Sequence, residues 1–177
     1  SVIASKQVQR IIREYYELYP EGQVIIEAGE CLYFNKDIYP MGWEPVDYVV
    51  TDLMELKDVE ASKLIFTSFE EEDCILMREK LPEDIYILMG QHNHAMIMHS
   101  DASKSKGLST VIKYFDLDLR HVMAFGDDNN DIDMLCAAGI GVAMDNAIDK
   151  VKECSDYITL GNNEDGVAKF LEDKILV

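Results

Sequence analysis

A chain of 177 residues, 48% hydrophobic and 9% aromatic, can bury the core of one domain or of two small ones. Its 34 acidic residues against 16 basic give a formal charge of −18, which repels nucleic-acid phosphates and anionic membranes and argues against both as partners. No apolar run approaches bilayer-spanning length and no signal-peptide pattern opens the chain; Cys31, Cys74, Cys136 and Cys154 lack C-x-x-C spacing, so reduced thiols in the cytoplasm are the plain reading.

In chain order, residues 5–19 place Val8, Ile11, Ile12, Tyr15 and Leu18 at a period of about 3.6. With Ser5 as cap and Pro20 as stop, they predict an amphipathic helix. Segments 23–27 and 31–34 flank Ala28-Gly29-Glu30 as a hairpin. Residues 35–47, with Pro40, Gly42 and Pro45, read as loop, and 49–56 as a weak helix. A strand over 63–67 and a helix over 70–80 follow. Then 85–89 and 95–98 bracket a second hairpin around Gly90-Gln91-His92-Asn93. Helix and hairpin, connector, then strand, helix and hairpin make an α+β layer, an antiparallel sheet with helices on one face. His92 and His94, at i and i+2, suit a metal only with a third ligand. None stands at suitable spacing, so an exposed hairpin is the plainer reading.

After Asp101 the pattern changes to alternating helices and strands. A helix over 107–115 carries Leu108, Val111, Ile112 and Phe115 on one face. It is followed by a strand over 122–125, a helix over 130–138 capped by Asn129 or Asn130, and a strand over 140–144. A helix over 147–154 capped by Asn146, a strand over 157–160 and a helix over 165–174 complete the chain. Such alternation implies an α/β unit with a parallel sheet. The domain junction falls near 100–103, dividing the chain into 1–101 and 102–177.

The cluster Gly126-Asp127-Asp128-Asn129-Asn130-Asp131 stands where the strand over 122–125 ends. In α/β folds ligands bind beyond the carboxyl ends of strands. Asp127 at the strand end and Asp131 in the first helical turn can face one small, hard cation, and Mg²⁺ favours a few carboxylates plus water and phosphate oxygens. The cluster reads as half of a phosphoryl-transfer site. A solvated acidic turn is the bland alternative while the cluster is taken alone.

Four pieces in order change that balance. They are Ser105-Lys106-Gly107, Ala124-Phe125-Gly126-Asp127 with Asn130-Asp131, Gly141-Val142-Ala143-Met144 with Asn146-Ala147, and Glu164-Asp165-Gly166-Val167-Ala168. With them the chain resembles the haloacid dehalogenase superfamily, in its Cof-type sugar-phosphatase-like branch. The resemblance implies the C-terminal part of a Rossmann-like core with an α+β cap over 1–101. It also implies Mg²⁺-dependent hydrolysis of a small phosphorylated metabolite through an aspartyl-phosphate. Carried over residue by residue, Lys106 neutralises charge at the nucleophile and the transferring phosphoryl group, and Asp127 is a metal ligand. Asp131 is a second ligand or a holder of metal-bound water, and Asn130 contacts the phosphate or orients the loop. Asp128 faces solvent. Asn146 is most simply a cap, with Asp145 standing where the family often has Gly. Phosphomutase chemistry on the same fold is one alternative, and a non-catalytic domain binding a metal or a protein is another.

The family also needs a nucleophilic Asp in an Asp-x-Asp-Gly-Thr-like motif, which this sequence lacks. Asp116-Leu117-Asp118 imitates it, but Leu119-Arg120 follows and the preceding apolar spacing is helical. The expectation is therefore a cap plus the C-terminal part of a core, truncated at Ser1 and inactive alone. The strand over 122–125 would then expose an apolar edge open to self-association.

Overall fold

The computed structural model describes residues 1–40 and 46–176. The expected loop positions Gly42 and Pro45 lie outside the described residues. The chain divides into two compact units, Ser1–Ala102 and Ser103–Val177. No described helix is long and apolar enough to cross a membrane.

In the first unit, α1 (Ser5–Leu18) buries Val8, Ile11, Ile12 and Tyr15, the i, i+3, i+4, i+7 stripe of an amphipathic helix. Its cap is Ala4 rather than Ser5, and Gln7 Oε1 accepts from the Ala4 N–H at 3.3 Å. Strands β1 (Val24–Ala28) and β2 (Cys31–Phe34) turn at Gly29, whose φ of +61° suits a residue without Cβ. After β3 (Val49–Val50) and β4 (Lys63–Thr67) come α2 (Glu71–Arg78), β5 (Ile85–Met89) and β6 (His94–His99). The six strands lie in the order β3-β2-β1-β4-β6-β5, antiparallel except for the β2–β3 pair. Alternate residues Val24, Ile26, Leu64, Phe66, Ile87 and Ile97 meet the apolar stripes of α1 and α2 in one core. Ile25, Phe34 and Ile65 form a smaller cluster, with Tyr48 stacked 4.3 Å from Phe34.

Two further expectations fail here. Residues 49–56 do not form a helix. Val49 and Val50 pair with β2 instead, and Thr51 N–H donates to Phe34 O at 2.9 Å. Adjacent β-branched residues beside an open strand edge favour pairing over a short, uncapped helix. The second correction is at His94, which opens β6 buried at 8% exposure, while His92 stays exposed. Burial, and then the neighbouring His92, lower the pKa of His94.

The second unit runs α3 (Lys104–Tyr114), β7 (Met123–Gly126), α4 (Ile132–Ala137), β8 (Ile140–Ala143), α5 (Asp149–Cys154), β9 (Tyr157–Ile158) and α6 (Gly166–Lys174). Its sheet, ordered β7-β8-β9, is parallel, the α/β Rossmann-like architecture that the alternation implies. Ala124, Leu135, Ala143, Ala147 and Val151 form its core. Small residues let α4 approach closely: a Cβ on Gly141 would stand 2.8 Å from Leu135 O. Among the described residues β7 pairs on one side only. Val111 and Tyr114 of α3, Phe115 just after it and both residues of β9 are exposed.

Candidate active site

The acidic cluster is organised by Asp131, which is 2% exposed. Its Oδ2 accepts from the backbone N–H of Asp127 at 3.1 Å and of Asp128 at 3.2 Å, and its Oδ1 accepts from Lys104 Nζ. Gly126 makes this possible, since a Cβ there would lie 2.5 Å from Asp131 Cβ. Asp128 is not a solvent-facing bystander. Its carboxylate accepts from Asn129 N–H at 2.7 Å and caps the single turn over Asn129–Asp131, taking the place expected for Asn129 or Asn130.

Asp127 is held on several sides. Its backbone O accepts from Ile148 N–H at 3.1 Å. Its Oδ2 accepts from Asn146 Nδ2 at 3.0 Å and from Asn162 Nδ2 at 2.9 Å. Asn162 N–H donates to Asn146 Oδ1 at 2.8 Å, which ties the two amides together. Asn146 is thus no helix cap: α5 starts after Ile148 with no side-chain cap. Among the described residues no hydrogen bond reaches Asp127 Oδ1.

A cavity of about 630 Å³ has Lys104, Asp127, Asp131 and Asn162 on its polar side and Phe125 and Met144 among its apolar lining. The lysine that the structure brings here is Lys104, not Lys106. Ser103 caps α3 and accepts from Lys106 N–H at 3.3 Å, so the helix begins at Lys104, earlier than the expected 107. Two residues on a helix are about 200° apart, so Lys106 cannot share the face of Lys104. Asn130 is half-buried in the turn and is not among the residues that line the cavity. Asp131 Oδ2 accepts two hydrogen bonds and Oδ1 one, from Lys104, whereas Asp127 Oδ1 accepts none among the described residues.

Among the described residues no three His, Cys, Asp or Glu side chains form a closed metal cage. A single hard carboxylate oxygen in an open cavity fits a cation that keeps water and substrate oxygens, as Mg²⁺ does, better than zinc. The imitation motif lies elsewhere: Asp116 follows α3 at φ 51°, and Asp118 is paired with Arg120 at 2.8 Å, before the opposite end of β7. Sequence reading passed over Lys104 and Asn162 and took Asn146 for a helix cap where it is a partner of Asp127. Ser103 as a helix cap was the available signal for Lys104.

The haloacid dehalogenase-like hydrolase family profile matches residues 1–171. A 5-amino-6-(5-phospho-D-ribitylamino)uracil phosphatase of Bacillus subtilis is 32% identical over 168 residues, covering 89% of this chain and 62% of the relative. The phosphatase BT1666 of Bacteroides thetaiotaomicron, from the haloalkanoate enzyme superfamily, superposes with a TM-score of 0.77 at 28% identity, covering 98% of this chain and 65% of its own. The subclass IIB sugar phosphatase BT4131 gives a TM-score of 0.78 at 25% identity, over 100% and 69%. The chain therefore spans less than two thirds of the length of this curated relative.

Proposed function

Because the chain belongs to the haloacid dehalogenase-like hydrolases, we propose that it carries the Lys104, Asp127 and Asp131 side of a phosphatase site for a small phosphate monoester. The observation that carries this reading is Asp127 beyond the end of a parallel strand, one carboxylate oxygen held by amides and the other open. Asp127 and the open oxygen would hold Mg²⁺, which when bound supplies charge neutralisation for a phosphoryl group. Lys104, anchored on Asp131, presents an ammonium to the same cavity and offsets charge on the transferring group. Asp131 fixes both that ammonium and the loop carrying Asp127. Asn130 orients the turn beside them.

In this reading Lys104 takes the role that the resemblance implies for Lys106. The nucleophilic carboxylate comes from a segment outside these residues, and the chain by itself does not turn over. The unit over 1–102 acts as the cap that selects the leaving group. Four free thiols fit a reducing, cytoplasmic setting. The ribitylaminouracil phosphate named for the Bacillus relative is a candidate substrate.

The test assays the chain alone and the chain co-expressed with the nucleophile-bearing segment of that relative, on a panel of phosphate esters with Mg²⁺. Turnover is expected only with the segment. Lys104→Ala should lower it on the order of 10²-fold, as loss of one electrostatic contact to the transition state does, and Lys106→Ala should leave it within a few-fold. A larger effect from Lys106→Ala would refute the assignment of the lysine. No turnover on the whole panel, with a partner protein bound through residues 1–101, would replace the phosphatase reading with a binding one.

A further inference from the structure

Asp127 carries a side-chain network that the phosphoryl-transfer reading does not require. Asn146 follows β8 and Asn162 follows β9, yet both Nδ2 groups donate to the same oxygen, Asp127 Oδ2, at 3.0 and 2.9 Å. A carboxylate oxygen has about two lone-pair directions, and an amide NH₂ can only donate to it. Oδ2 is therefore saturated, the carboxylate plane is fixed, and Oδ1 is left as the oxygen able to take a cation. The Asn162 backbone N–H, 2.8 Å from Asn146 Oδ1, sets which way the Asn146 amide faces. Three loops thus converge on one carboxylate.

We infer that Asn146 and Asn162 are positioning residues that aim Asp127 Oδ1 at the divalent cation before it arrives. The inference rests on Asp127 being the cation ligand. Groups that orient a metal ligand typically affect affinity 10–100-fold. Both amides are exposed, so the expected loss is at the lower end of that range. The two residues are not equivalent. Asn162→Ala removes one donor and leaves Asn146 oriented. Asn146→Ala removes a donor and also strips Asn162 N–H of its acceptor, so it should cost more.

The experiment is a Mg²⁺ titration of the 177-residue chain by calorimetry, with the Asp127 carboxyl carbon followed by ¹³C NMR, and thermal midpoints taken in chelator. Wild type should bind weakly with a shift at Asp127. Affinity should fall about 10-fold in Asn162→Ala and further in Asn146→Ala. Asn163→Ala, at an exposed neighbour outside the network, should bind as wild type does. The metal-free midpoints should stay within about 2 °C, the shift expected of a surface change. Equal affinity in all variants would overturn the inference and leave the metal assignment standing. No binding by wild type would overturn both. Weaker binding together with a large fall of the metal-free midpoint would show that the amides hold the loop rather than aim the carboxylate, and would also overturn it.

Discussion

Asp131→Ala tests whether one buried carboxylate organises the site. The change deletes three contacts from a residue that is 2% exposed: the N–H groups of Asp127 and Asp128, and Lys104 Nζ. Leaving a sealed backbone donor unsatisfied costs about 1–3 kcal/mol. Asp127 and Asp128 are half-buried, so water restores part of the loss and about 1 kcal/mol each is the expected share. The Lys104 side chain is 46% exposed; its ammonium regains water and contributes about 0.5–1 kcal/mol. The sum is about 3 kcal/mol of local stability. Asp131→Asn keeps one acceptor and should lose about half as much. Because two units need not unfold together, the assay is native-state hydrogen exchange read at the amides of 123–137. Protection at Asp127 and Asp128 should fall most. A loss below about 0.5 kcal/mol, the range of ordinary surface substitutions, would refute the reasoning.

In the first unit, Phe66→Ala should cost about 3–5 kcal/mol, since the ring is fully buried and stacks 4.0 Å from Tyr15. Urea denaturation followed by circular dichroism measures it, and a cost under about 1 kcal/mol would show that this core collapses around the gap. His94 gives the same unit a pH dependence. Its pKa is lowered in the fold, chiefly by burial, so below about pH 6.5 the unfolded chain binds more protons than the folded one. Its contribution is fully present above the unfolded value and is lost as the pH falls toward the folded one. Urea midpoints between about pH 7.5 and 5.5 should therefore drop, and His94→Gln should flatten that slope. An unchanged slope would remove His94 as the cause.

What the sequence alone determined is local. The stripe Val8, Ile11, Ile12, Tyr15 predicts α1, the Gly29 hairpin predicts β1 and β2, and alternation after Asp101 predicts a parallel α/β unit, because these patterns depend on spacings of a few residues. Asp127 at a strand end was legible for the same reason. Tertiary structure alone decided which groups meet it. Asn146 and Asn162 lie 19 and 35 positions away, and Lys104 lies 27 from Asp131. No periodicity links such positions, because the parallel register of β7, β8 and β9 is what brings the loops of Asn146 and Asn162 to one end of the sheet. Which lysine of α3 lines the cavity depends on where the Ser103 cap starts the helix, a matter of one hydrogen bond and about 200° of helical rotation. Likewise Val49 and Val50 became a strand because an edge of β2 was there to receive them. Hydrogen-bond partners distant in sequence become neighbours only once the sheet is built, so the place of the carboxylate was readable in one dimension and its partners were not.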